Sequence, residues 1–218
     1  MNPNAVRIAD LGFRPRPPAQ DILTSGIASL DAAIQGFPRG AIAEITGPDS
    51  SGRTTLIHSL LAASTSKSEI CAYVDTTDSF DPVSAAAAGV SLSQLVWIRC
   101  NNHAGHALKA ADNLIHAGGF GVIILDLCQV TPRIANRIPI SYWYRFRLAI
   151  ENTPTILTVI EKQPLAKSCA ALLIEMKRKK TIWTGAPGFE LLRGVDLEAI
   201  PRKPVRQLTA GIQAKAAG

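Results

Sequence analysis

No apolar run in the 218 residues is long enough to cross a bilayer, which takes roughly 20 consecutive apolar residues, so a membrane-spanning protein is not expected. Residues 1–20 lack the apolar stretch of a secretory leader and carry Arg7, Asp10, Arg14 and Arg16 among prolines, so export is not expected either. Cysteine is sparse. Cys71, Cys100, Cys128 and Cys169 form no C-x-x-C pair, which leaves buried thiols in a reducing cytoplasm as the plain reading. Cys100, His103 and His106 are spaced like part of a zinc site, but no fourth ligand follows, and no structural metal is expected. No Ser/His/Asp arrangement suggests hydrolase chemistry, and His58 reads as a structural residue. No internal repeat is present.

Acid is short in one half. Residues 1–126 hold 8 Lys/Arg and 11 Asp/Glu, a net of −3, whereas residues 127–218 hold 15 and 6, a net of +9. A basic second half suggests a polyanionic partner, with a basic surface kept for solubility as the alternative. What is plentiful is apolar: 47% hydrophobic against 18% charged residues, which suits a globular protein with a full core.

Residues 1–23 read as an extended, proline-rich arm, residues 24–200 as one core domain, and residues 201–218 as a basic, flexible tail. Thr24 to Gly36 has helical spacing at Leu30, Ala33 and Ile34, with Ser29 as N-cap. Apolar strands are predicted at 41–46, 70–75, 95–99, 121–127, 155–160 and 170–176. Helices are predicted at 54–63, at 105–117 with Gly118-Gly119 as its stop, and at 140–150. Thr181 to Thr184 is expected to pair with its neighbour across a turn at Lys177–Lys180. Strands alternating with helices imply an α/β fold, a mainly parallel sheet with helices on both faces.

The most specific motif is Gly47-Pro48-Asp49-Ser50-Ser51-Gly52-Arg53-Thr54-Thr55, between a predicted strand and a predicted helix. Glycines let backbone N–H groups turn inward, and the helix N-terminus adds partial positive charge, so such a loop holds a phosphate chain by its main chain. Thr54 would place its hydroxyl on Mg²⁺. Arg53 stands where this motif has lysine. A planar, forked guanidinium does not replace a compact ammonium in a tight loop. A glycine-rich turn with a purely structural role is the alternative.

Thr24-Ser25-Gly26 to Leu30-Asp31, Gly36 to Gly40, Glu44 to Gly52, Cys71 to Asp75, Asp81-Pro82 and Gly89-Val90 together resemble the start of the RecA recombinase core. Val122 to Asp126 looks like the Walker B strand of that family. The resemblance covers roughly residues 24–176. It implies a RecA-type P-loop core, ATP and Mg²⁺ as ligands, and Asp126 as the carboxylate that organises Mg²⁺. The position that carries the family's water-activating glutamate falls on Thr77, which is no general base, with Asp78 beside it as a substitute. The segments after Asp126 and after Thr155–Ile160 are short where RecA has its DNA-binding loops. A shortened RecA core with a degraded nucleotide site is similar to ImuA, the RecA-like accessory family of the bacterial mutasome. That likeness implies SOS-induced translesion synthesis with RecA and an ImuB-like polymerase subunit as partners, a cytoplasmic, nucleoid-associated location, and at most a weak ATPase. The SulA division inhibitors share the shortened architecture, and an active DNA-dependent ATPase is a further alternative.

Arg133, Arg137, Arg145 and Arg147 lie in a stretch with no acid between Asp126 and Glu151, interleaved with Tyr142, Trp143 and Tyr144. Such a stretch can bind single-stranded DNA, dock a protein, or simply pack its rings inward and solvate its arginines. Lys177, Arg178, Lys179 and Lys180 form a basic run for the same DNA or partner contact, and Arg202, Lys203 and Arg206 extend it toward the tail.

Overall fold

The strands and helices of the computed structural model, which describes residues 21–186, 189–204 and 209–215, build an eight-stranded sheet with helices on both faces and a separate two-stranded antiparallel pair near the start of the chain. In chain order they are β1 (Ile22–Leu23), α1 (Ala28–Ile34), β2 (Phe37–Pro38), β3 (Ala41–Thr46), α2 (Arg53–Thr65), β4 (Ile70–Asp75), α3 (Pro82–Ala87) and β5 (Leu95–Arg99). There follow α4 (Ala104–Ala117), β6 (Phe120–Asp126), α5 (Pro132–Ala135), α6 (Ile140–Ile150), β7 (Ile156–Glu161), β8 (Ala170–Thr184), β9 (Leu191–Lys203) and β10 (Ala210–Lys215). The sheet runs β10-β9-β8-β3-β7-β6-β4-β5. From β8 to β5 every neighbour is parallel; β9 and β10 are added antiparallel at one edge. The α/β architecture expected from the sequence is the one observed.

The period-2 alternation of the strands sorts their side chains onto two cores. Ala43, Ile45, Tyr73, Val122 and Ile124 face α1 and α2, against Leu30, Leu56 and Leu60. Ile42, Ala72, Val74, Ile123, Leu125 and Val159 face α4 and α6, against Leu108, Trp143 and Phe146. Both faces being covered explains why the central strands read as unbroken apolar runs. No helix among the described residues is long and apolar enough to cross a membrane.

Three expectations give way. Helix α1 begins at Ala28, and Ser29 lies inside it, its hydroxyl donating to the carbonyl of Gly211 at 2.7 Å. The Asp31 carboxylate takes the N–H groups of Ser25 and Gly26 instead, so the helix start is held from within. Lys177–Lys180 is no turn: it lies in the middle of β8, where Lys179 pairs across the ladder with Glu198 at 2.8 Å. The chain reverses instead between Thr184, which ends β8, and Leu191, which opens β9. Finally, 201–203 closes β9, and Ala210–Lys215 adds β10, burying Ala210 and Ile212 rather than trailing as a tail. The alternating apolar residues at 210, 212 and 214 are what the alanine- and glycine-rich composition concealed. Residues 1–20 of the expected arm, Arg206, and residues 205, 207–208 and 216–218 of the expected tail lie outside the described residues.

Candidate functional site

The loop leaves β3 at Gly47 and enters α2 at Arg53, as its sequence suggests. Two glycines make its path. Gly47 has φ 149°, and a Cβ there would sit 2.4 Å from the carbonyl oxygen of Met176. Gly52, the N-cap of α2, has φ 88°, and a Cβ there would meet Leu197 Cδ1 at 2.2 Å. Only glycine lets the loop lie this close to β8 and β9. The first N–H groups of α2 have no acceptor within the helix and open onto the loop. Ser51 Oγ is buried without a hydrogen-bond partner in the same loop. Together these suit an anion.

Arg53 borders the cavity beside that loop, but its guanidinium is spent on backbone carbonyls. It is 8% exposed, and Nη1 donates to the carbonyls of Gly47 at 2.5 Å and Glu161 at 2.8 Å. Nη2 donates to Asp49 Oδ1 at 3.2 Å, and Lys162 Nζ reaches Asp49 Oδ2 at 2.9 Å. Those bonds, with the hydrogen bond from Lys162 first, hold the Asp49 carboxyl below its ordinary range. The arginine thus ties the loop to the end of β7.

A cavity of about 290 Å³ opens between the loop and the strand ends, lined by Asp49, Thr54, Tyr73, Ser79 and Asp126 among others. Asp126 ends β6, its Oδ1 accepting from the N–H of Cys128 at 2.9 Å. Its Oδ2 accepts from Tyr73 Oη at 2.7 Å and Ser79 Oγ at 3.4 Å. Burial, followed by the Asp126 charge, pushes the Tyr73 hydroxyl well up, so it stays a donor. Thr54 and Asp126 share this cavity, and an oxygen pair of that kind suits Mg²⁺. Tyr73→Phe removes one donor to a buried carboxylate and is expected to lower stability by about 1–2 kcal/mol, measured by urea unfolding.

The expected substitute base is elsewhere. Asp78 forms a double contact with the Arg99 guanidinium and does not line the cavity. The Arg99 hydrogen bond holds its carboxyl below the usual range. Thr77 is not in the cavity either; its N–H donates to Asp75 Oδ1 at 3.3 Å. Buried Asp75 organises this loop, accepting also from Ser79 N, Phe80 N and Trp97 Nε1. Cys100, His103 and His106 lie by α4, where His103 Nδ1 caps the helix on the N–H of His106.

Behind the loop stand two buried carboxyls. Glu44 and Glu161, 0% and 2% exposed, sit on adjacent strands β3 and β7. Both accept from the N–H of Leu165, at 2.7 and 3.0 Å, and Glu44 also accepts from Ala166 at 2.6 Å. Burial, then the contact with Glu44, pushes the Glu161 carboxyl up to about 11. It is a neutral acid packed beside Glu44.

The basic stretch resolves by burial. Trp143 and Phe146 are 1% and 0% exposed, so these rings pack inward, while Arg133, Arg137, Arg145 and Arg147 face out. Arg145 pairs with Asp112 at 3.1 Å and lies over the Tyr142 ring at 4.8 Å. On β8, Lys177, Arg178, Lys179 and Lys180 are exposed, with Lys177 also pairing to Glu175 at 3.2 Å. Arg202 pairs with Glu175 as well. Arg178 and Trp183 line a second depression of about 440 Å³ that reaches Ser50, Thr54 and Thr55 of the loop. Sequence reasoning missed Ser79, Lys162 and Trp183 as neighbours of the loop, since each arrives by tertiary packing and carries no local motif. Tyr73 was inside a recognised strand, where period 2 puts it on the face of Asp126's strand neighbours.

The sequence pattern of the RecA N-terminal domain matches residues 7–136. The protein RecA of Nitrobacter winogradskyi is 36% identical over 129 residues, 58% of this chain and 35% of that protein. The RecA of Rhodopseudomonas palustris is 39% identical over 126 residues, 56% of this chain and 36% of its own length. For the RecA of Rickettsia prowazekii the figures are 41% over 121 residues, 55% and 35%. The match therefore spans about a third of the length of these relatives. Lying over residues whose strand ends carry the loop and its carboxylate, that match makes this chain a member of the RecA N-terminal domain family.

Proposed function

We propose that this chain is a non-recombinogenic, RecA-like accessory protein of DNA repair, acting in SOS-induced translesion synthesis in the manner of the ImuA family. One observation carries the reading. The guanidinium in the lysine position holds the carbonyls of Gly47 in the loop and Glu161 at the end of β7, and the nearest substitute for the missing glutamate is locked to Arg99. The cavity keeps its phosphate cradle, but the carboxylates that line it among the described residues are engaged: Asp49 by Arg53 and Lys162, Asp81 by the N–H groups of Val83 and Ser84, and Asp126 by Tyr73. Bound Mg²⁺ would supply charge neutralisation at the phosphates, with Thr54 and Asp126 holding it. Hydrolysis is weak at most, and the protein works through contacts: with RecA, with an ImuB-like polymerase subunit, or with single-stranded DNA, in the cytoplasm at the nucleoid.

The test is ATP turnover with and without single-stranded DNA, in the native chain and in Arg53→Lys, beside co-purification with RecA and an ImuB-like subunit. Little or no turnover in the native chain, with retention of either partner, is expected. DNA-stimulated turnover abolished by Asp126→Ala would instead make the protein an active ATPase.

A further inference from the structure

Helix α6 is apolar on two sides. Its inner side, Trp143, Phe146 and Ile150, is buried on the sheet. Its outer side carries a second apolar row, Ile140, Tyr144 and Leu148, which are 41%, 46% and 65% exposed. The i, i+4, i+8 spacing sets them one above another along about 12 Å of helix. With His116 and Ala149 they line a shallow groove of about 630 Å³. The outward face of a packed helix is ordinarily polar, and a contiguous apolar row there, rimmed by charge, marks a contact surface.

The rim is mainly basic, with exposed Glu151 closing the helix beyond Leu148. Arg137 precedes the helix, Arg145 and Arg147 lie on it, and Lys167 sits on the turn packed against it, all exposed. No acid occurs between Asp126 and Glu151. Asp112 on the neighbouring α4 is engaged by Arg145 at 3.1 Å.

We propose that this groove docks an amphipathic helix of a protein partner with acidic flanks. The partner's apolar side lies on Ile140, Tyr144 and Leu148, and its carboxylates meet Arg137, Arg147 and Lys167. Helix-in-groove recognition uses anchors at this spacing. A second copy of this chain fits poorly, because it brings the same basic rim against itself. Nucleic acid fits poorly too: bases stack on rings, and the row exposes a single ring, Tyr144, between two aliphatic residues, with Trp143 and Phe146 buried beneath it. The inference goes beyond the accessory role and holds whether or not the loop binds nucleotide, since no loop residue lines the groove.

The experiment uses the full chain and a synthetic helical peptide carrying leucines at i, i+4 and i+8 between glutamates. Its lysine counterpart, oligo-dT and phosphatidylserine vesicles are the other probes, all read by fluorescence anisotropy or co-sedimentation. Saturable binding of the glutamate peptide is expected, weakened about tenfold by Leu148→Ser and by Arg147→Glu, and weakened by salt. Both positions are exposed, and circular dichroism of the variants confirms that they fold. Equal binding of the lysine peptide overturns the proposal, as does binding of oligo-dT or vesicles that depends on Leu148. Absence of any binding overturns it as well. Loss of ATP binding in parallel assays bears on the loop alone.

Discussion

Replacing Glu161 by glutamine is expected to stabilise the protein at neutral pH, by up to about 3 kcal/mol, and to flatten its pH dependence. The Glu161 carboxyl is 2% exposed and is pushed up from 4.5 to about 11 by burial first and by Glu44 second. An unfolded chain ionises this group near its ordinary value. Between those two values the folded protein binds one more proton than the unfolded one, so rising pH favours unfolding by about 1.4 kcal/mol per unit. The contribution is fully present below the unfolded value and is lost as pH climbs toward the folded one. Glutamine is neutral throughout. Its carbonyl can accept from the N–H of Leu165 and its amide can donate to Glu44, so the packing survives. Urea unfolding at about pH 6 and about pH 8 measures the slope in both proteins. Parallel slopes in the native chain and the variant would remove Glu161 as the source.

Arg53 is the second large effect, and two substitutions separate its roles. Arg53→Ala is expected to cost about 3 kcal/mol, because it strips charge-assisted donors from the carbonyls of Gly47 and Glu161. The ion pair with Asp49 adds little, since that carboxylate is 60% exposed. Arg53→Lys is expected to lose part of the same stability, because one ammonium cannot reproduce the fork that spans both carbonyls. The thin lysine stem leaves the ammonium able to turn toward the cradle. ATP affinity in the presence of Mg²⁺ should rise about tenfold, read by isothermal calorimetry. A lysine variant that binds ATP no better than the native chain would show that the arginine's ties are not what keeps the loop from its ligand.

The residues that announce the site are local. Glycine at 47 and 52, a hydroxyl at 54, and an aspartate closing an apolar strand at 126 are all requirements of backbone shape or of a single strand end. Such requirements are visible in a string of letters, and the structure places Thr54 and Asp126 on one cavity beside the loop that the two glycines shape. Asp78 shows the opposite case. Adjacent in sequence to the missing glutamate, it looked like its replacement, yet Arg99 from β5, 21 residues on, captures it. Arg53 is similar. Its identity was plain, but whether the guanidinium faces phosphate or carbonyl depends on where β7 ends.

Length, periodicity and the loop motif were enough to set the α/β class, most strand positions and the place of the glycine-rich loop between β3 and α2, because each follows from short-range sterics and from burial on a repeating pattern. Packing alone decided the rest. It turned Lys177–Lys180 from a corner into mid-strand, drew Ala210–Lys215 into the sheet, and set Glu44 beside Glu161. It also left Ile140, Tyr144 and Leu148 uncovered on α6. Which of two apolar faces a helix buries, and which charge a carboxylate meets, depends on neighbours far away in the chain, and local pattern carries no record of them.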